Sequence, residues 1–340
     1  EIAQCLVGSE MCIRDRCKGE CCKVVVISPD KEGFYMNVQM VFNLFLVDHE
    51  SYCSEQSIVY YRFNVQKFVD FLSDQLGSVP DLIECDVISR ELVLAYLSQL
   101  RGTGCKNTSI NTYFRAAKVF LNYCIDEGYC SADVLRKVKF LKKDNAPVLP
   151  LTQWEVDEID GCYNDKTESG LRNLCIIHLM LDAGFRLGDV VSLTFKGINF
   201  KLNYLTIKGK GDKFRTVFLC PKLKRMLYHY LIKYRAYTPE DDFPVFAQVG
   251  TAEPITETSV KMVFARLKKR AGIDRLHPHL LRHTFATSFI IGGGNLEFLR
   301  MMLGHSDYAT TKMYLHLAQQ AKMLHSDIYR LDPVFFQAGY

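Results

Sequence analysis

The stretch HPHLLRHTFATSFIIGGGNLEFLRMMLGHSDYATTKMYLH, His277 to His316, decides how the rest of the chain is read. His279 and Arg282 stand three residues apart, which on a helix places imidazole and guanidinium on one face. Leu303-Gly304-His305 then presents a second imidazole, and Tyr314 follows nine residues on. Three groups able to donate to anionic oxygen thus gather near one phenol. A phosphodiester is the substrate that such a set handles best.

Working outward, Thr152-Gln-Trp-Glu155 reads as a capping box that opens a domain. Leu171 to Ala183 is apolar nearly all round, so it is expected at the domain centre, with His178 a satisfied core histidine. Gly184 can end that helix in a left-handed conformation, directly before Phe185-Arg186-Leu187-Gly188-Asp189. Two β-branched runs, Tyr204 to Ile207 and Thr216 to Leu219, flank Lys208-Gly-Lys-Gly-Asp-Lys-Phe-Arg215 and read as a hairpin with a basic, Gly-rich tip. Amphipathic helices are expected around Lys222 to Tyr237 and Thr256 to Gly272, and a helical pattern over Ala318 to Tyr329. Beyond it, Val334, Phe335 and Phe336 form an apolar tail with little of its own subunit left to pack on.

Upstream, residues 36 to 140 read as a bundle of about four helices. Apolar residues recur at helical spacing in Val41, Leu44, Phe45; Val59, Phe63, Phe68, Phe71, Leu72; Leu92, Ala95, Tyr96, Leu100; and Phe114, Ala117, Phe120, Leu121, Cys124. Breaks fall at Gly77 to Pro80, Gly102 to Gly104 and Gly128. Lys137, Lys139, Lys142 and Lys143 lead into a Pro-punctuated stretch, so 141–150 reads as a basic interdomain linker suited to phosphate. Residues 1–35 form an N-terminal extension in which Cys5 to Arg16 resembles translated sequencing-adapter sequence, so a native start is expected near Met36 or upstream of Glu1. The cysteines at 12, 17, 21 and 22 lack the paired spacing of a zinc site.

Composition sets bounds. With 340 residues and 48% apolar content the chain can bury large cores, and two domains are expected. Because 42 basic residues nearly balance 38 acidic ones, nucleic-acid binding would rest on local patches. No apolar run of about 18 residues occurs, so no transmembrane helix and no membrane partner are expected. The 13 cysteines form no compact framework, which favours reduced thiols and a cytoplasmic location.

The Gly-Phe-Arg turn, basic hairpin, His-x-x-Arg, Leu-Gly-His and Tyr, in that order, resemble the motif blocks of the tyrosine recombinases, the phage integrase family. The resemblance implies a mainly α fold with a small β-hairpin or sheet: a helical core-binding domain at 36–140 and an α+β catalytic domain at 151–330. It also implies a tail at 331–340 that docks in trans on a neighbouring protomer. The catalytic set would be Arg186, Lys210, His279, Arg282, His305 and Tyr314. Asp189 would orient a guanidinium, although the family usually has Ser-Glu where Gly188-Asp189 stand, and its reach is one methylene shorter. Lys208, Lys213 and Arg215 would join the linker lysines on DNA.

The activity implied is site-specific cleavage and rejoining of double-stranded DNA through a 3′-phosphotyrosyl bond. Neither metal nor ATP nor any other cofactor is expected, since the bond energy stays in that linkage. The expected partners are a recombination site, further copies of the chain in a tetramer on two sites, and an excisionase or other accessory DNA-bending protein. Integration and excision of a mobile element is the expected role, in a bacterial cytoplasm at the nucleoid. The alternatives are a chromosome-dimer resolvase of the same family, a type IB topoisomerase-like nicking and closing enzyme, and a non-catalytic DNA-binding module.

Overall fold

The computed structural model describes residues 36–142, 148–209, 214–305, 307–324, 327–333 and 336. The expectations placed on residues 1–35, Lys143, Lys210, Lys213, Val334 and Phe335 lie outside them. The chain divides into two compact units, Glu1–Asn145 and Ala146–Tyr340.

In the first unit four α-helices follow one another: α1 Val38–Glu50, α2 Glu55–Leu76, α3 Arg90–Gly102 and α4 Asn107–Asp126. Asn37, Ser54 and Ser89 cap the first three, each side chain accepting a backbone N–H of the opening turn. Gly77, at φ 62°, ends α2 in the left-handed region that glycine enters without strain. Phe45, Phe68, Phe114 and Phe120 are fully buried between these helices. Val59 and Phe63 are not: the packed arc of α2 runs through Ile58, Val65, Phe68, Val69 and Leu72, leaving those two 62% and 63% exposed. Lys67 instead places its ammonium 4.8 Å from the Phe63 ring. The outgoing segment is tied down by Asn111, whose amide exchanges two hydrogen bonds of 2.8 Å with the Leu141 backbone. Lys137, Lys139 and Lys142 are exposed along it.

The second unit holds α5 Gln153–Gly161, α6 Glu168–Asp182, α7 Leu187–Ser192, then strands β1 Ile198–Asn199, β2 Tyr204–Lys208 and β3 Phe214–Phe218. After these come α8 Pro221–Tyr234, α9 Glu257–Ala271, α10 Pro278–Ile291, α11 Leu296–Leu303 and α12 Tyr308–Leu324. The strands make one antiparallel sheet in the order β1-β2-β3, with Thr206 opposite Thr216 and Ile207 opposite Arg215. The expected hairpin is therefore present, and β1, too short for an alternating pattern, adds a third strand. The Thr152–Glu155 capping box forms. Helix α6 is the central element: apart from Arg172, every residue from Gly170 to Asp182 is buried.

Two features at the C-terminal end differ from the sequence reading. Tyr314 lies inside α12, which ends at Leu324 instead of running to Tyr329. The chain then turns extended, and Ile328 bridges Thr152, with Gln153 N donating to Asp327 O at 2.8 Å and Tyr329 N to Leu151 O at 3.0 Å. The tail also finds partners in its own chain. Leu331 is buried, and the Phe336 ring sits 5.8 Å from Phe289, over Gly292, where a Cβ would meet it at 2.2 Å.

His178, wholly buried, donates from Nδ1 to Asp182 at 2.7 Å and from Nε2 to Asp160 at 2.8 Å. Lys222 reaches the other Asp160 oxygen at 2.9 Å, and the Tyr329 hydroxyl donates to Asp182 at 2.6 Å. Burial alone would lower the His178 pKa, but the two carboxylates outweigh it and raise it to about 9. The network so joins α5, α6, α8 and the segment after α12. His178→Ala would strand the buried Asp182 carboxylate, and a loss of about 3–5 kcal/mol is expected in chemical denaturation at pH 7. Since the folded pKa lies above the free value of about 6.5, the contribution is full below that pH and fades as pH rises through about 9. A wild-type advantage that stays constant from pH 6 to 10 would show that the imidazole is not charged.

Candidate active site

The site is built where two chain reversals meet. Gly184 ends α6 at φ 67°, and a Cβ there would meet the Phe285 ring at 2.6 Å, so both backbone and space require glycine. Two residues on, Arg186 is the N-cap of α7, and its backbone N–H donates to Asp189 Oδ2 at 2.5 Å. Gly304, at φ 62°, ends α11 and turns the chain so that His305 faces inward. Arg300 fixes that turn by donating to the His305 carbonyl at 2.9 Å.

Arg282, on the first turns of α10 and only 4% exposed, joins these reversals. Its Nη1 donates to the Gly184 carbonyl; its Nη2 donates to the Leu303 carbonyl at 2.7 Å and to His305 Nε2 at 3.2 Å. Burial, then the charges of Arg186 and Arg215, lower its pKa to about 9. A guanidinium can only donate, so His305 Nε2 accepts, and Nδ1 carries the proton that it gives to Thr311 Oγ1 at 2.9 Å. Burial and the surrounding arginines hold the His305 pKa down at about 4, so the ring is neutral at neutral pH.

Tyr314 is 8% exposed, its ring parallel to His305 at 6.5 Å between centroids and tilted against His283 at 5.4 Å. Burial raises the phenol's pKa, while Arg282 and Arg186 pull it back. His283 donates from Nε2 to the Val148 carbonyl at 2.8 Å. His279 lies one turn before Arg282, on the exposed side of the helix but with its ring partly desolvated, and that desolvation, then Arg282, His277 and Arg186, lower its pKa. Arg215 points inward, 8% exposed, paired with Asp189. Three guanidiniums thus face one carboxylate, a donor set with surplus positive charge suited to a phosphate.

Of the residues expected from sequence, Arg186, Asp189, Arg282, His305 and Tyr314 come together in this one unit. Lys208 lies exposed on β2, and the linker lysines belong to the other unit. Arg215, expected on the DNA backbone, is instead held inside. Thr311 and His283 add to the set. Each had a signal in its spacing, Thr311 three residues before Tyr314 and His283 four after His279.

Residues 151–321 match the model of the phage integrase family. The chain belongs to that family. It is 30% identical over 244 residues to the tyrosine recombinase XerD of Caulobacter vibrioides, covering 70% of this chain and 79% of that one. Its fold is similar to the Tn1549 transposon integrase in complex with a circular intermediate DNA, with a TM-score of 0.66 at 18% identity over 85% of this chain and 98% of that one. It is similar also to a lambda integrase dimer bound to a core site, with a TM-score of 0.66 at 17% identity over 87% of this chain and all of the other. As a family member the chain is a tyrosine-type, site-specific DNA recombinase. Among the described residues no helix is long and apolar enough to cross a membrane.

In this integrase-family site Thr311 sets the His305 tautomer. Thr311→Val keeps the shape and removes the acceptor, so the proton moves to Nε2, where it faces the Arg282 donor. Strand cleavage is expected to slow about 10- to 100-fold with melting temperature and DNA affinity held. Cleavage at the wild-type rate would show that Thr311 does not govern the ring.

Proposed function

We propose that Tyr314 attacks the scissile phosphate, forming a phosphorus–oxygen bond to its phenol oxygen as the bond to the 5′ oxygen breaks. The product is a 3′-phosphotyrosyl linkage and a free 5′-hydroxyl. The phenol is protonated at neutral pH and must lose its proton as it attacks. His279 takes that proton, and Lys210 gives one to the departing oxygen. Arg186 and Arg282 bind the non-bridging oxygens and stabilise the added charge of the transition state. His305, neutral in the free site, gains proton affinity from the phosphate beside it and donates to that phosphate from Nε2. The reverse attack by a 5′-hydroxyl of another strand completes recombination without any cofactor.

The observation that carries this reading is the buried guanidinium of Arg282 tied to His305 with Tyr314 stacked beside it. The same reading gives the exposed lysines at 137, 139, 142 and 208, together with Lys143 and Lys213, to the DNA backbone. Four copies of the chain would act on two sites, aided by an accessory DNA-bending protein and linked by tails that leave the slot over Gly292 in their own chain for the same slot in a neighbour. The work would be done at the nucleoid in the cytoplasm. Integration and excision of a mobile element follows the family's name alone. A two-plasmid assay with the repeats flanking the native locus tests it.

A nicked suicide duplex carrying the recombination site should become covalently attached to wild-type protein, and Tyr314→Phe should bind the duplex without attachment. Lys210→Ala should cleave about 100- to 10,000-fold more slowly, the range of a lost general acid. It should regain near wild-type speed when sulfur replaces the bridging 5′ oxygen, because a thiolate leaves without a proton. Attachment by Tyr314→Phe would falsify the nucleophile, and a Lys210→Ala defect that sulfur leaves in place would remove Lys210 from its role.

A further inference from the structure

Arg215 sits second on β3, opposite Ile207, where the alternation of the strand turns it away from solvent and toward the start of α7. Its guanidinium makes an ion pair with Asp189 Oδ2, the same oxygen that accepts the Arg186 backbone N–H. The Nε is buried without a hydrogen-bond partner among the described residues. The stem lies along the glycine turn that presents His305, close enough that a Cβ on Gly304 would stand 3.0 Å from Arg215 Cδ. So one side chain touches the carboxylate of the upstream half of the site and the turn of the downstream half.

Asp189 stands three residues from Arg186 on the first turn of α7, within reach of that arginine's own side chain. A carboxylate left unmatched there would pair with the Arg186 guanidinium and draw it off a phosphate oxygen. The Arg215 charge matches Asp189 and leaves Arg186 unpaired with it. We propose that Arg215 is a positioning residue: by holding Asp189 against the α7 N-terminus, it keeps the Arg186 guanidinium directed at the scissile phosphate. This rests on the phosphate-gripping role of Arg186 proposed above.

The test uses the full chain and suicide duplexes whose scissile phosphate is either the ordinary diester or a methylphosphonate of one or the other handedness. Replacing one non-bridging oxygen by methyl removes the charge that one arginine stabilises. Arg215→Ala should cleave the diester about 100-fold more slowly than wild type, the scale of a small misplacement at a reacting centre, with DNA affinity little changed. Its defect should shrink on the same methylphosphonate isomer that relieves Arg186→Ala, and not on the isomer that relieves Arg282→Ala. Arg215→Lys, which can still pair with Asp189, should regain most of the loss.

Relief on the Arg282 isomer, relief on neither, or an undiminished rate on the diester would each overturn the proposal. If Arg215→Ala melts below the assay temperature, Asp189→Asn is read in its place. That variant loses the charge that competes for Arg186, so it should tolerate Arg215→Lys without further loss, and an additive loss would overturn the proposal. Failure of wild-type protein to attach to the diester would instead overturn the phosphotyrosyl reading, and this proposal with it.

Discussion

A buried cation with no carboxylate in direct contact must find every partner it can in the main chain, and Arg282 does so. Its guanidinium collects the carbonyl of Gly184 at the end of α6, the carbonyl of Leu303 at the end of α11, and the ring of His305. Each of those atoms is offered by a chain reversal at a glycine of positive φ. The two motif halves, far apart in sequence, are thereby held by one side chain, whose charge also acts on the Tyr314 phenol. Substituting a methyl group at Gly184 would disturb the site through the Phe285 ring before any catalytic atom moved.

The same unit contains a second polar network with the opposite character. Around His178 each positive group meets a negative one: imidazolium with Asp160 and Asp182, Lys222 with Asp160. That network is balanced, buried at His178 and Asp182 and half-exposed at Lys222, and it is suited to holding helices together. Around Arg282 the charges do not balance, and burial together with that imbalance lowers its own pKa and that of His305. Proteins keep such surplus charge where it meets an anion of the substrate. The contrast separates a structural histidine from one proposed to act on substrate, although both are wrapped in hydrogen bonds.

Much of this was legible in the sequence because the signals there were local. The capping box at Thr152, the turn at Gly184 and the order of Arg186, Arg282, His305 and Tyr314 needed only spacing and residue type. Periodicity also gave the four helices of the first unit. It misplaced Val59 and Phe63, since an apolar residue beside a buried arc counts the same as one within it. The end of α12 was misread because the pairing of Ile328 with Thr152 depends on a segment far back in the chain. Arg215 was read as a DNA contact because strand alternation puts it on one of two faces and only Asp189 decides which. The partners of Leu331 and Phe336 were invisible for a like reason: a slot over Gly292 exists only after α10 is folded.

The bridge between Thr152 and Ile328 also sets the order of assembly. It joins the first residues of the catalytic unit to nearly its last, the kind of long-range pairing that forms late because the intervening chain must be ordered first. During synthesis the arginines of α7 and α10 emerge before α12 and the bridging segment. The proposed nucleophile, Tyr314, would therefore be seated last, and a nascent chain would hold the arginines proposed to bind phosphate before it had the means to cut.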